Sequence, residues 1–208
     1  MRAEIDEHLT TPFRGMANTT EPLTDPPVLL GMEITRDYQK RTLKITMKQR
    51  IMDLVKIAVS DEGEQVQRRT LPIPPSRYIV HDEQITQLPL AEQEALTTVQ
   101  QKLYMKIVGC LIWISGIRHD IVFSTTYLSW FTQHPLIHHL HMAQHVVHYL
   151  HTTIDLPVVL GGADVEPCGF SDSSLAQGPK RRSITGYLTK MHPKAGAIYV
   201  SSKATVGQ

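Results

Sequence analysis

The chain has 208 residues, 41% of them hydrophobic, so it is long enough to bury a sizeable core. Its 21 Lys and Arg residues nearly balance 20 Asp and Glu residues, which excludes a uniformly basic nucleic-acid binder and an acidic solvating chain. Two cysteines exclude a disulfide scaffold and indicate a reducing compartment. No apolar run reaches the ~18 residues of a membrane span, and residues 1–20 lack the apolar stretch of a secretory signal. We therefore expect an intracellular protein, cytoplasmic or nuclear, that is neither secreted nor bound to a membrane.

Basic residues are concentrated towards the C-terminus. Residues 168–208 contain one acid, Asp172, and the following six basic residues: Lys180, Arg181, Arg182, Lys190, Lys194 and Lys203. Residues 1–167 carry the opposite excess, with 19 acidic and 15 basic residues. A basic segment of this kind predicts either a polyanion-binding surface or an ordinary solvated edge, and the charge pattern alone leaves both open.

The first 89 residues divide into three segments. Residues 1–27 are polar and we expect a disordered or unrelated N-terminal segment. Residues 28–59 begin with alternating apolar and polar positions, which predict a β-hairpin, and continue with apolar residues at helical spacing, which predict a helix over about Lys48–Val59. Residues 60–89 are rich in proline and polar residues, and this composition is typical of a linker.

Residues 90–153 have the pattern of a helical region. We expect three helices, at about Ala91–Ile117, Asp120–Gln133 and Ile137–Thr152, with Asp120 as the N-cap of the second. The third helix has a core stripe formed by Leu140, Ala143, Val147 and Leu150. Residues 154–208 then contain three strand-like runs, Cys168–Ser171, Ser183–Met191 and Ala197–Ser202. Together these elements predict an α+β fold.

Seven of the eleven histidines lie between His134 and His151. Four of them share one helix face, because their spacings are 3, 4 and 3: His138, His141, His145 and His148. Such a face could chelate a divalent metal, but this stretch contains no Asp, Glu or Cys to complete a site. We therefore favour a solvent-exposed face or a polyanion contact.

Common nucleophile and phosphate-loop motifs are missing from the sequence. Cys110 lies in the apolar run 107–114, which predicts a core position rather than a nucleophile. The remaining candidate is Asp172, which follows an apolar strand and precedes small residues. A carboxylate placed in this way can bind a metal at a sheet edge, but Ser-Asp-Ser is also an ordinary turn sequence.

A series of blocks in a fixed order resembles the Pol polyprotein of copia-type retrotransposons. Residues 30–34 resemble its Leu-Gly-x-Glu-Ile strand, and residues 104–111 its Tyr-x-x-x-Val-Gly-x-Leu helix. Residues 118–121 resemble Arg-Pro-Asp-Ile, and residues 128–131 resemble Leu-Ser-Arg-Phe. Towards the C-terminus, residues 169–172 resemble Gly-Tyr-Ser-Asp, residues 181–187 resemble Arg-Arg-Ser-Thr-Ser-Gly-Tyr, and residues 201–203 match Ser-Ser-Lys.

The resemblance implies a layout in three parts. Residues 28–59 would form the end of a reverse transcriptase palm and the start of its thumb, and residues 90–153 its helical thumb and connection. Residues 154–208 would form a truncated RNase H-like domain with a three-stranded antiparallel sheet. Asp172 would be the first RNase H carboxylate and a metal ligand, because the intact family enzyme uses Mg²⁺.

The resemblance also implies binding partners. The chain would bind an RNA–DNA hybrid or another nucleic acid weakly and without sequence specificity, and it would contact other Pol segments. We expect the nucleic-acid contacts to come from five residues: Lys180, Arg181, Arg182, His145 and Lys203.

The sequence departs from the family pattern in three ways. It has no Asp-Asp pair for polymerase chemistry, His119 replaces the proline of Arg-Pro-Asp-Ile, and the later RNase H carboxylates are absent. One carboxylate cannot hold two metal ions, so Asp172 would be a remnant and no metal would be bound stably. We therefore expect a fragment of a reverse transcriptase/RNase H that is catalytically incomplete alone. The alternatives are a non-catalytic nucleic-acid-binding protein derived from a retroelement and an unrelated α/β scaffold.

Overall fold

The computed structural model describes residues 28–59, 65–74, 82–162, 165–174 and 183–204. It contains helices and two antiparallel sheets, which confirms the α+β character of the chain. The expectation for residues 1–27 lies outside the described residues, as do Lys180, Arg181 and Arg182. None of the helices in the described ranges is both long and apolar enough to cross a bilayer.

The first sheet is built on the predicted hairpin. Its strands are β1 (Val28–Leu29), β2 (Met32–Asp37), β3 (Thr42–Thr46) and β4 (Val158–Gly161), in that order. Leu30 and Gly31 connect β1 to β2, and both have a positive φ, as a two-residue hairpin turn of type I′ requires. A Cβ on Gly31 would also lie 2.5 Å from Nε of Arg50, so a larger residue here would have to displace this exposed arginine side chain.

Strand β4 was not predicted from the sequence. It pairs with β3 from Ile45↔Val158 to Thr42↔Gly161 and so belongs to the hairpin sheet. The segment 154–208 is therefore divided between two sheets. Residues 158–160, Val-Val-Leu, directly follow Pro157. The two β-branched valines favour a strand and could have indicated it.

The helices are α1 (Lys48–Ala58), α2 (Asp82–Ile85), α3 (Leu90–Gln93), α4 (Thr98–Ser115), a 3₁₀ helix (His119–Ile121), α5 (Val122–Ser129) and α6 (Ile137–Thr152). The bounds of α6 are those predicted. The prediction of one helix over Ala91–Ile117 is wrong, because the chain is extended at Glu94 and restarts at Thr97. Thr97 and Gln100 form a capping box, a signal that was present in the sequence.

Three long helices enclose the hydrophobic core. Helix α1 packs on α4 and on α6, and α4 packs on α5. The core side chains of α4 are Tyr104, Ile107, Val108, Leu111 and Ile114. The predicted stripe of α6 is buried as expected, while Cys110 is half-buried at the margin of the core. The hydroxyl of Tyr104 donates to the carbonyl of Leu128 at 2.6 Å, so this buried polar group is satisfied.

A buried arginine joins the end of α6 to the turn after α4. Arg118 is only 2% exposed, and its guanidinium donates to both carboxylate oxygens of Asp120 and to the backbone and side-chain oxygens of Thr153. The hydroxyl of Tyr149 donates to the same carboxylate at 2.7 Å. The prediction of Asp120 as the N-cap of α5 is wrong. The N-cap is Ile121, and Asp120 lies in the 3₁₀ helix, where its carboxylate is engaged by Arg118 and Tyr149.

The second sheet contains β5 (Cys168–Ser174), β6 (Ile184–Lys190) and β7 (Ala197–Ala204) in sequence order, all antiparallel. Each of the three predicted strands is present. This sheet is attached through β7, where Thr126 of α5 donates to the carbonyl of Ser202. The backbone N–H of Gly196 also donates to Val159 at 2.7 Å, an approach that leaves no room for a Cβ at Gly196.

Replacement of Arg118 by alanine is expected to destabilise the protein strongly. The substitution would leave the carboxylate of Asp120 without its ion-pair partner, which costs about 3 kcal/mol in comparable buried pairs. Urea denaturation followed by circular dichroism measures this loss. Lys106→Ala, a change at an exposed position of α4, is the control and should alter the free energy of unfolding by less than about 0.5 kcal/mol. A loss below about 1 kcal/mol for Arg118→Ala would contradict the role assigned to this ion pair.

Candidate functional site

Asp172 lies in the middle of β5, where it is exposed to solvent. Its directly opposed residue on β6 is Gly186, and Gly186 is in turn opposed to Ser202 on β7. The Asp172 carboxylate accepts a hydrogen bond from the backbone N–H of Ser173 at 2.9 Å. One row across the sheet therefore contains residues from the Gly-Phe-Ser-Asp, Thr-Gly-Tyr and Ser-Ser-Lys blocks.

A groove of about 540 Å³ separates this row from the turn after α4. Its sheet side includes Asp172, Gly186 and Ser202, and its other wall is formed by Asp120 and Phe123 with their neighbours. Gly186 has no side chain to fill the groove, and a Cβ there would meet nothing closer than 3.8 Å. The site is therefore open enough to admit a ligand.

The groove contains two carboxylates in different electrostatic environments. Burial alone would raise the pKa of Asp120, but hydrogen bonds from Arg118 and Tyr149 and the charge of Arg118 lower that pKa below its usual value. Asp120 is thus an ionised structural partner of Arg118. Asp172 is exposed, and its one hydrogen bond given above comes from the neighbouring backbone.

The donors that the structure describes around Asp172 do not fit a pair of Mg²⁺ ions. Two-metal hydrolysis needs several carboxylates that share the ions, and Asp120 is held by Arg118. Within the ranges that the structure covers, no three His, Cys, Asp or Glu side chains are grouped closely enough to hold a metal ion.

The histidine face of α6 differs from the prediction of a solvent-exposed surface. His138 is fully buried and lies 2.8 Å from a carboxylate oxygen of Glu92, and His148 is buried as well. His145 is half-buried, and its Nε2 lies 2.9 Å from the carbonyl of Leu71. The prediction is wrong for His138 and His148 because α3 and residues 65–74, which are distant in sequence, pack over this face.

The neighbouring His139 is buried and makes contacts that stabilise the fold. Its ring stacks on Phe131 with 4.0 Å between centroids, and its Nδ1 accepts the backbone N–H of Leu136. Burial, together with the proximity of His138, lowers the pKa of His139 to about 3, so this ring is neutral at physiological pH. These contacts indicate that part of the histidine cluster stabilises the fold.

The basic residues of the predicted nucleic-acid surface are only partly within the described chain. Lys203 is exposed on β7, opposite Thr185, at the end of the sheet where the chain leaves β5 and enters β6. The structure does not describe Lys180, Arg181 and Arg182, and His145 lies on α6, in a different part of the fold. The nucleic-acid roles of all five residues remain predictions.

Two exposed tyrosines on the second sheet were missed by the sequence analysis. The rings of Tyr187 and Tyr199 stack with 5.6 Å between centroids and an interplanar angle of 29°. Hydrogen bonds from Tyr199 and Ser201, together with the charge of Lys203, lower the pKa of the Tyr187 phenol. We call this side of the sheet, defined by Tyr187, Tyr199 and Lys203, the tyrosine face. Period-two alternation along β6 and β7 could have indicated it.

No protein-family model, curated protein or solved structure matches this chain.

The two carboxylates of the groove are expected to differ in their effect on stability. Asp120→Asn should lower the free energy of unfolding at pH 7 by about 1–3 kcal/mol, since it weakens a charged hydrogen-bond network. Asp172→Asn, at an exposed position, should change it by less than about 0.5 kcal/mol. Chemical denaturation of both variants and the wild type measures the difference.

The effect of Asp120→Asn should also depend on pH. Because folding lowers the pKa of Asp120, its contribution is complete above the unfolded-state pKa and is lost as the pH falls through the folded-state pKa. The stabilities of wild type and Asp120→Asn should therefore converge on acidification. A constant difference from pH 7 to pH 2 would be incompatible with the assigned ion pair.

Proposed function

We propose that the chain is a segment of a copia-type retrotransposon Pol polyprotein. Residues 28–59 and 90–153 would represent the end of the palm and the helical thumb and connection of a reverse transcriptase. Residues 165–204 would represent the first three strands of an RNase H-like domain. The support for this assignment is the ordered series of motifs and their arrangement in the fold.

The order of the three C-terminal strands supports this assignment most directly. Three short blocks that resemble RNase H strands in the sequence lie on adjacent antiparallel strands, with Asp172, Gly186 and Ser202 opposed in one row. An RNase H-like sheet would need this order and a carboxylate exposed on its first strand. A chance similarity of short motifs would not favour a common row.

The activity that we propose for this segment is nucleic-acid binding without catalysis. Asp172 is one exposed carboxylate, and Asp120 is engaged by Arg118, so the described donors are too few for two metal ions. Lys203, together with Lys180, Arg181 and Arg182 of the same basic segment of the sequence, would contact phosphates of an RNA–DNA hybrid through charge, without reading sequence. Mg²⁺ and hydrolysis would belong to the intact family enzyme.

A non-catalytic nucleic-acid-binding protein derived from a retroelement is the second candidate. It is favoured by the structural use of Asp120, which leaves the groove with one uncommitted carboxylate among the described residues. Both candidate functions require that the chain binds nucleic acid through its C-terminal basic residues.

We expect the purified chain to bind an RNA–DNA hybrid with strong salt dependence. Fluorescence anisotropy with a 20-base-pair hybrid at several KCl concentrations gives the slope of log K against log salt. Arg181→Ala/Arg182→Ala should reduce that slope by about 2, because each phosphate contact contributes about 1. The matched control Lys102→Ala/Lys106→Ala removes two exposed charges from α4 and should leave the slope unchanged.

Two outcomes would contradict the proposal. Failure to bind the hybrid at low salt would remove the nucleic-acid function, and equal losses in the two double variants would remove the assignment to the C-terminal basic residues. Mg²⁺-dependent cleavage of the hybrid that Asp172→Asn abolishes would contradict the catalytic incompleteness of the chain.

A further inference from the structure

The two faces of the second sheet carry different chemistry. Directly opposed residues of antiparallel strands share a face, and successive residues along a strand alternate between faces. The row Asp172–Gly186–Ser202 therefore lies on one face, which borders the groove. Tyr187, Tyr199 and Lys203 lie on the other, since each is an odd number of residues from this row. Tyr187 and its opposed residue Ser201 are nevertheless among the residues that line the groove.

The tyrosine face presents aromatic surface to solvent. Tyr187 is 37% exposed and Tyr199 is 49% exposed, and the two rings stack on each other from neighbouring strands, with 5.6 Å between centroids. Aromatic rings held by a rigid sheet lose little conformational freedom when a flat ligand stacks on them. Exposed aromatic side chains on a sheet are a common platform for unpaired nucleic-acid bases.

The charges on the two faces favour a polyanion at the tyrosines. Lys203 is close enough to Tyr187 to influence the pKa of its phenol. Asp172, the one acid in residues 168–208, is on the opposite face. A phosphate chain that crossed the tyrosine face would thus meet a lysine and would avoid this carboxylate.

The side chains of Thr185 and Thr189 lie on the same face as the tyrosines, because they flank Tyr187 at intervals of two residues. Their hydroxyls can donate to phosphate oxygens without selecting a base. The face therefore combines stacking surface, neutral donors and a positive charge, and none of these groups reads a Watson–Crick edge.

We propose that the tyrosine face binds single-stranded nucleic acid, with neighbouring bases stacked on Tyr187 and Tyr199 and an adjacent phosphate on Lys203. A paired duplex cannot offer its bases in this way, so the ligand is an unpaired strand. The inference rests on the proposed nucleic-acid function but names a different strand state and a different set of residues from the hybrid contact.

The experiment is fluorescence anisotropy with a fluorescein-labelled 15-nucleotide oligo(dT). Tyr187→Ala and Tyr199→Ala should each weaken binding about 5-fold or more, the lower end of the range for loss of one base stack. Tyr187→Phe and Tyr199→Phe retain the rings and should bind within about 2-fold of the wild type. Tyr38→Ala is the matched control, because Tyr38 is 76% exposed in the turn between β2 and β3.

A change in the ligand makes the test independent of how well the variants fold. An oligonucleotide of the same length with abasic sites in its central positions keeps the phosphates and removes the stacking partners. It should bind the unmodified chain about 5-fold or more weakly than oligo(dT). Equal affinity for the two oligonucleotides would overturn the inference.

The outcomes separate this inference from the proposed function. If Tyr187→Ala/Tyr199→Ala binds oligo(dT) normally while Arg181→Ala/Arg182→Ala weakens hybrid binding, the tyrosine face is rejected and the proposed function stands. If the chain binds neither probe, both are rejected. If sedimentation shows that the tyrosine variants lose self-association with no change in oligo(dT) binding, a second copy covers the face and the inference is rejected.

Discussion

The arrangement of the helices depends on one buried arginine. Arg118 carries its charge into the protein at the turn between α4 and the 3₁₀ helix, where it is 2% exposed. Its guanidinium donates to Asp120 and to Thr153 at the end of α6, so one side chain joins two parts of the chain 35 residues apart. A buried charge is tolerated only when it is paired and hydrogen-bonded, and Asp120, Thr153 and the ring of Tyr149 provide that environment.

This ion pair also determines the chemistry of the groove beside the second sheet. The carboxylate of Asp120 lines the groove but is already bound by Arg118 and Tyr149. Asp172 faces it from the sheet with no such partner in the hydrogen bonds described above. Because Asp120 is held by Arg118, Asp172 is the one exposed carboxylate described in the groove. The groove therefore resembles part of a metal site, but its described donors are too few to hold two metal ions. The opposite face of the sheet, with its tyrosines and lysine, is better suited to a polyanion.

Local patterns in the sequence predicted most of the helices and strands. Helix α6 and the three C-terminal strands follow from periodicity and turn residues, because each is bounded by proline, glycine or polar segments. Helices α3 and α4 were predicted as one continuous helix because the capping box of Thr97 and Gln100 was overlooked. Strand β4 was missed because its partner β3 is more than 100 residues away in the sequence.

The candidate site was less predictable because it depends on contacts between distant segments. The histidine periodicity correctly indicated a shared face, but nothing local showed that Glu92 and Leu71 would pack against it. Asp172 could be identified as a candidate from its strand and its neighbours. The structural role of Asp120 could not, since it requires the side chain of Tyr149 and the end of α6. Predicting the tyrosine face required the register of β6 and β7. Alternation of residues along each strand suggests which side chains share a face, but the pairing of the strands fixes the register.

The central claim is that nucleic acid contacts the second sheet rather than the helices. Ultraviolet cross-linking of a bromodeoxyuridine-substituted single strand to the chain, followed by peptide mapping, locates the contact directly. The account predicts adducts on β6 and β7, at Tyr187 and Tyr199. Adducts confined to the helical region, such as the histidine face of α6, would contradict it.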